Sequence, residues 1–312
     1  MPQPFSDRLI EGIRAKDSRC IVGLDPRVDQ MPAFVRTGGT REAICAAITE
    51  FHELVLDAVA DLVPAVKPQL AFFEQYGIAG IQAFENTVRA AKQRGLLVIA
   101  DGKRNDISST AEAYANAYLG DAGFDCDALT VTPYLGRDSL APFVEACKKH
   151  DKGLFVVLKT SNPGSKDFQD QRLETTGRPL YESIASALNE LGGDLVGRSG
   201  YSSIGAVVGA TFPEEGRRLR SWIPRALILV PGYGAQGGSA KAAAECFNDD
   251  GLGAIVSSSR GATYAFGDRD ISRDAFVRSV RKNTRQMIDD VNRAVSPANP
   301  QTPLRSPVLP RA

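Results

Sequence analysis

Eight short, almost wholly apolar runs recur along the 312-residue chain, most of them followed by a stretch with helical spacing. They read CIVGLD (20–25), AVKPQL (65–70), LLVIAD (96–101) and ALTVTP (128–133), then LFVVLKTS (154–161), IGAVVGA (204–210), ALILVPG (226–232) and GAIVSSS (253–259). A strand that is apolar along its whole length, rather than at alternate residues, is buried on both faces. That is the condition of a parallel sheet covered by helices. The connecting segments fit this reading. REAICAAITEFHELVLDAVADL spaces its apolar residues three and four apart, and YGIAGIQAFENTVRAAKQRG stops at Gly95, as helices often do at glycine. Eight such units predict an α/β chain folded as one (β/α)8 TIM barrel over residues 1–295. A doubly wound sheet has the same periodicity and stays open.

Two segments break the repeat. Residues 162–178, NPGSKDFQDQRLETTGR, form a long polar loop after the fifth run, of a length more often used as a functional lid than as a connector. Residues 296–312, SPANPQTPLRSPVLPRA, carry a proline every three or four positions and read as a disordered or extended tail outside the fold.

Lys and Arg together number 37, as do Asp and Glu, so no global field draws the chain to nucleic acid or to an anionic membrane. No apolar stretch approaches the roughly 20 residues that span a bilayer. The first 20 residues read as an amphipathic entry helix rather than a signal peptide, which predicts a cytoplasmic protein. Five scattered cysteines without a CxxC pair predict reduced thiols. Two histidines, His52 and His150, leave little room for His-based acid–base chemistry or a His-rich metal site.

In a parallel barrel, chemistry gathers where strands end. Here the runs end in Asp25, Lys67, Asp101 with Lys103, and Lys159 with Ser161, while the last two lead into PGYGAQGG and SSSRG. Asp101 and Lys103 are two apart and face one side of an extended strand. Lys67 from the neighbouring strand and Asp106 beyond the turn complete an alternating row. At an effective dielectric near 20, unit charges 4 Å apart interact by about 4 kcal/mol, so alternation keeps every member ionised. Flanking carboxylates favour the ammonium form of Lys103, which suits a proton donor. The same row would serve equally as a structural salt-bridge cluster, and three strand-end lysines leave imine chemistry open. The glycines of PGYGAQGG allow backbone N–H groups close to an anion, and Arg260 at the next strand end can grip phosphate oxygens in pairs. GYGAQGG is neither a P-loop nor a first-strand dinucleotide fingerprint.

The set VGLDPR, VKPQLAFFE, DGKRNDI, TSNPG, VPGYGAQGG and SSSRG, in this order at successive strand ends, resembles the orotidine 5′-phosphate decarboxylase family, in its longer bacterial (type 2) branch. The resemblance implies decarboxylation of orotidine 5′-monophosphate to uridine 5′-monophosphate without metal or organic cofactor. Within it, Lys103 would protonate C6, Asp101 would face the departing carboxylate, and Lys67 would order the row and touch the ribose. Asp25 would hold ribose hydroxyls, Ser161 would read the pyrimidine, and Gln236 would bridge base and phosphate. Arg260 and the surrounding backbone amides would bind the phosphate, and Ile107, Pro231 and Gly261 would line the substrate. Asp106 and Thr110 would reach into the partner's site of a homodimer.

Overall fold

Each of the eight apolar runs forms a strand, with ends within three residues of those expected. The computed structural model describes residues 3–35, 38–234 and 237–295. Helix α1 (Phe5–Lys16) precedes β1 (Cys20–Leu24), α2 (Arg41–Val59) and β2 (Ala65–Pro68). Helices α3 (Leu70–Glu74) and α4 (Gly77–Gln93) lead to β3 (Leu97–Arg104), then α5 (Ser108–Leu119), β4 (Ala128–Val131), α6 (Arg137–His150) and β5 (Gly153–Lys159). The second half runs α7 (Leu180–Gly192), β6 (Ser202–Val208), α8 (Pro213–Trp222), β7 (Ala226–Pro231), α9 (Ala240–Ala244) and β8 (Ala254–Ser258). Helices α10 (Arg260–Thr263) and α11 (Arg273–Val295) follow. All neighbours pair in parallel, and β8 closes on β1 through Cys20 opposite Val256. That closure excludes the doubly wound alternative and makes the chain a TIM barrel.

The entry helix does more than lead into the first strand. Phe5, Leu9, Ile10 and Ile13 are buried with Ile21, Ile99, Phe155, Leu229 and Ile255 inside the barrel, so α1 plugs its N-terminal end. Each such side chain contributes roughly 1.5–3 kcal/mol by leaving water. Phe5 meets Phe155 edge-on, with ring centroids 6.0 Å apart. The fit depends on Gly153, where a Cβ would stand 2.2 Å from the Phe5 ring. Asp7 fastens the plug by accepting the backbone N–H groups of Arg198 and Ser199 at 3.0 and 2.8 Å. With one end filled, the opposite end is the one left for chemistry.

Outside the barrel, Thr40 caps α2 by accepting the Ala43 N–H at 3.2 Å, and Gly95 takes the left-handed φ of +71° that ends the turn after α4. His52 is fully buried, and with Thr87 Oγ1 donating to the Ala83 carbonyl its Nδ1–H donates to that hydroxyl at 3.1 Å. Burial pushes the imidazole down to about 3, so it is a neutral packing residue. All five cysteines are free thiols. No helix among the described residues is long and apolar enough to cross a membrane. The loop over 162–178 is ordered by a 3₁₀ turn at Pro163–Asp167 and a bridge between Arg172 and Pro179. The segment 296–312 lies outside the described residues.

Arg220 on α8 holds the lower rim. Its five N–H donors meet five carbonyls, those of Cys246, Ile223, Pro224, Ala226 and Gly253, at 2.7–3.0 Å. Lysine offers three donors and cannot span them. Arg220→Lys is expected to cost about 3–5 kcal/mol, through carbonyls left buried without partners. Urea unfolding would report this as a lower midpoint, and an unchanged midpoint would remove the guanidinium from the rim's support.

Candidate active site

The open end of the barrel is organised around Asp101, of which 7 % is exposed. Its Oδ2 accepts Lys67 Nζ at 2.7 Å and Gln69 Nε2 at 2.9 Å. Its Oδ1 accepts Lys103 Nζ at 2.6 Å and Thr130 Oγ1 at 3.0 Å. Burial raises a carboxyl, but here the two ammonium groups and their hydrogen bonds outweigh it and hold Asp101 far below the usual carboxylate range. Burial likewise pulls Lys67 down, and Asp101 and Asp25 outweigh it, leaving the ammonium above its ordinary value. Lys103 differs in setting, since 42 % of its side chain is exposed.

The two members of the DGK stretch meet for a reason that alternation does not supply. β3 carries a register shift against β4 between Ala100 and Arg104, and Lys103 takes a left-handed φ of +47°. In a regular strand Lys103 would share a face with Asp101 but stand about 7 Å further along it; the bulge and the left-handed turn bring its amine back to the carboxylate. The Lys103 backbone N–H donates to Thr130 Oγ1 at 2.9 Å, and that hydroxyl donates onward to Asp101, which closes a small ring around the kink. A non-glycine residue in this region costs on the order of 1–3 kcal/mol, and such strain concentrates at working sites.

Around the row lies a cavity of about 370 Å³. Asp25, Lys67, Asp101, Lys103, Ser161, Pro231 and Arg260 all line it. Arg27, Gln69, Phe72, Thr160 and Tyr233 also line the cavity and were not singled out by the sequence, as Thr130 beneath the row was not. Only Gln69 had a usable signal, being two residues past Lys67 on the same strand end. Tyr264 fixes the turn after β1: its hydroxyl donates to the Asp25 carbonyl at 2.9 Å and accepts the Arg27 N–H at 2.8 Å. Asp25 Oδ1, Arg27 Nε and Ser259 Oγ are buried without hydrogen-bond partners among the described residues, so the wall offers both donors and acceptors to a polar ligand.

Other expected members stand elsewhere. Asp106 does not close the row within this chain: its carboxylate accepts the neighbouring Ile107 N–H at 2.8 Å, because the chain turns into α5 there. Ile107 and Thr110 are exposed at the start of α5, outside the cavity wall, and Gly261 sits in α10 just behind Arg260. Lys159 is fully buried, paired with Asp170 and covered by the Phe212 ring at 4.8 Å, so it does not present an amine to the cavity. Gln236 lies outside the described residues. The glycine-rich turn takes positive φ at Gly232, Gly234 and Gly237, at +119°, +74° and +84°, values that residues with a Cβ rarely adopt. A larger groove, of about 930 Å³, runs along α8 outside the barrel, and its Arg217 and Glu245 neutralise each other at 2.6 Å.

Asp101→Asn removes the anion between two lysines, one of them buried, and is expected to cost on the order of 3–5 kcal/mol at neutral pH. A carboxylate depressed on folding adds stability above its unfolded pKa of about 3.9 and loses it as pH falls toward its lower folded value. The gap between parent and variant in urea midpoints should therefore persist at pH 5 and narrow only below about pH 4. A gap that closed near pH 6 would contradict the ion-paired row around Asp101.

The chain also has informative relatives. The family model described as "Orotidine 5′-phosphate decarboxylase / HUMPS family" matches residues 18–266. The orotidine 5′-phosphate decarboxylase of Rhodopirellula baltica is 48% identical over 269 residues, covering 84% of this chain and 88% of that protein. That of Caldicellulosiruptor saccharolyticus is 41% identical over 306 residues, covering 94% and 99%. Among solved structures, the OMP decarboxylase of Leishmania donovani superposes with a TM-score of 0.74 at 32% identity, covering 95% of this chain and all of that one. A closed barrel with a Lys–Asp–Lys row at its open end, a family-model match over most of the chain and relatives this similar lead to one conclusion: the chain belongs to the orotidine 5′-phosphate decarboxylase / HUMPS family.

Proposed function

We infer that this protein converts orotidine 5′-monophosphate to uridine 5′-monophosphate and CO2, a step of pyrimidine biosynthesis, and that Lys103 supplies the proton at C6. The observation that carries the reading is the interleaving of Lys67, Asp101 and Lys103 at 2.6–2.7 Å on the wall of a cavity that Arg260 also lines. Breaking the bond between C6 and the carboxylate leaves an electron pair in the ring plane, beyond the reach of the π system. A preorganised ammonium over C6 stabilises that pair and then delivers its proton to it. The exposure of Lys103 allows solvent to reprotonate the amine for the next turnover.

Asp101 lies against the substrate carboxylate. Four hydrogen bonds hold it in place, and its depressed pKa keeps it charged, so it cannot relieve repulsion by moving or by taking up a proton. Loss of CO2 removes that repulsion. Asp25 and Lys67 bind ribose hydroxyls, and Asp25 Oδ1 is available for this. Ser161 reads the base, Gln236 spans base and phosphate, and Pro231, Arg260 and Gly261 form the phosphate end. Phosphate binding far from C6 is spent on holding the charged site closed. The loop at 162–178 covers the base as a lid on the 1–295 barrel, and near-full-length matches to bacterial relatives support the longer branch.

A homodimer follows from the same reading. Ile107, Tyr134 and Leu135 are large apolar side chains exposed at 53%, 86% and 48% on the rim that also carries Asp106 and Thr110. Covering that patch with a second copy would bring Asp106, Ile107 and Thr110 to the partner's cavity.

Lys103→Ala is expected to lower kcat by at least about four orders of magnitude, the combined scale of general-acid and electrostatic contributions, with UMP binding retained. Following orotidylate absorbance in the presence of EDTA measures it, and near-normal turnover would end the assignment. Mixing inactive Lys103→Ala and Asp106→Ala proteins should restore about a quarter of full activity, since half the dimers are mixed and each holds one intact site. Sites contained within one chain would restore none.

A further inference from the structure

Thr160 and Ser161 form the part of the cavity wall that follows β5, and both lack the support of a strand. Gly209 packs closely against Ser161 on one side: a Cβ there would stand 2.9 Å from Ser161 N, so only glycine lets the two segments approach this far. On the other side stands Gln169, from the long loop. Its Oε1 accepts the Thr160 backbone N–H at 2.9 Å and its Nε2 donates to Thr160 Oγ1 at 2.8 Å. That hydroxyl in turn donates to Asn162 Oδ1 at 2.6 Å. An amide is the one side-chain group of this size that can accept and donate at once in this arrangement.

Gln169 is itself held at every polar atom. Its backbone N–H donates to the Ser165 carbonyl at 2.9 Å, and its carbonyl accepts the Tyr181 N–H at 3.2 Å. The next residue, Asp170, pairs with Lys159, the fully buried last residue of β5, which is covered by the rings of Phe212 and Tyr181. The loop is therefore fastened to the end of β5 at two successive residues, and the fastening acts on Lys159 and on Thr160, the cavity-wall residue that precedes Ser161.

We propose that Gln169 is a positioning residue for pyrimidine recognition: it clamps Thr160 and so fixes Ser161 against the base, with the Asp170–Lys159 pair locking the clamp in register. This rests on the reading of Ser161 as the residue that meets the pyrimidine. Gln169 touches no substrate, and its effect passes through Thr160.

The test compares ligands with and without the base. For Gln169→Ala, UMP should bind about tenfold more weakly and KM for orotidylate should rise by a similar factor, while kcat and ribose 5-phosphate binding change less than twofold. Hydrogen exchange at the Thr160 amide should accelerate at least tenfold. Equal weakening of UMP and ribose 5-phosphate, or unchanged exchange at Thr160, would overturn the proposal. Ser161→Ala separates the two readings. If it leaves the UMP to ribose 5-phosphate ratio at the parent value, the base contact assigned to Ser161 is wrong, and the exchange measurement still decides the clamp.

Discussion

Asp101 carries its negative charge in a setting where burial alone would drive it to take up a proton. Two ammonium groups and four hydrogen bonds prevent this, and the open end of the barrel is built around that balance. Remove either lysine and the other charges lose their compensation. Remove Thr130 and both the carboxylate and the kinked backbone at Lys103 lose a partner. A carboxylate that is costly to bury thus also sets where the Lys103 amine points, so the stability of this end and the geometry of its cavity depend on the same few contacts.

The barrel makes this concentration tolerable by dividing its two ends. At the N-terminal end, α1 fills the interior with four apolar side chains, and Arg220 ties the rim through five carbonyls. Packing and satisfied polar groups there stabilise the fold without any need for access. At the other end, the left-handed φ of Lys103 and the buried atoms of Asp25, Arg27 and Ser259 that lack partners among the described residues come together at one cavity. Stability gathered at one end allows the other to remain chemically strained.

Much of this was legible in the sequence, and the exceptions share a cause. The strands read clearly because continuous apolarity reports burial on both faces, residue by residue. Asp25, Lys67, Asp101, Lys103, Ser161 and Arg260 read clearly because a polar residue closing an apolar run marks the open end of a barrel, and the structure brings them to one cavity. Thr130 and Gln169 did not, since a threonine inside a strand and a glutamine in a polar loop have no local signature. Proximity in sequence to Lys103 does not bring Asp106 into this chain's own row, because the chain has already turned into α5 there.

From the sequence alone came the eightfold alternation, and with it the strand ends at which charged residues had to gather, since these depend on patterns local to each segment. Closure of β8 on β1, the plug formed by α1, the bulge that turns Lys103 onto Asp101 and the burial of Lys159 beneath its loop were decided only by the tertiary structure. Each depends on distances between segments far apart in the chain, and such distances are set when the barrel closes.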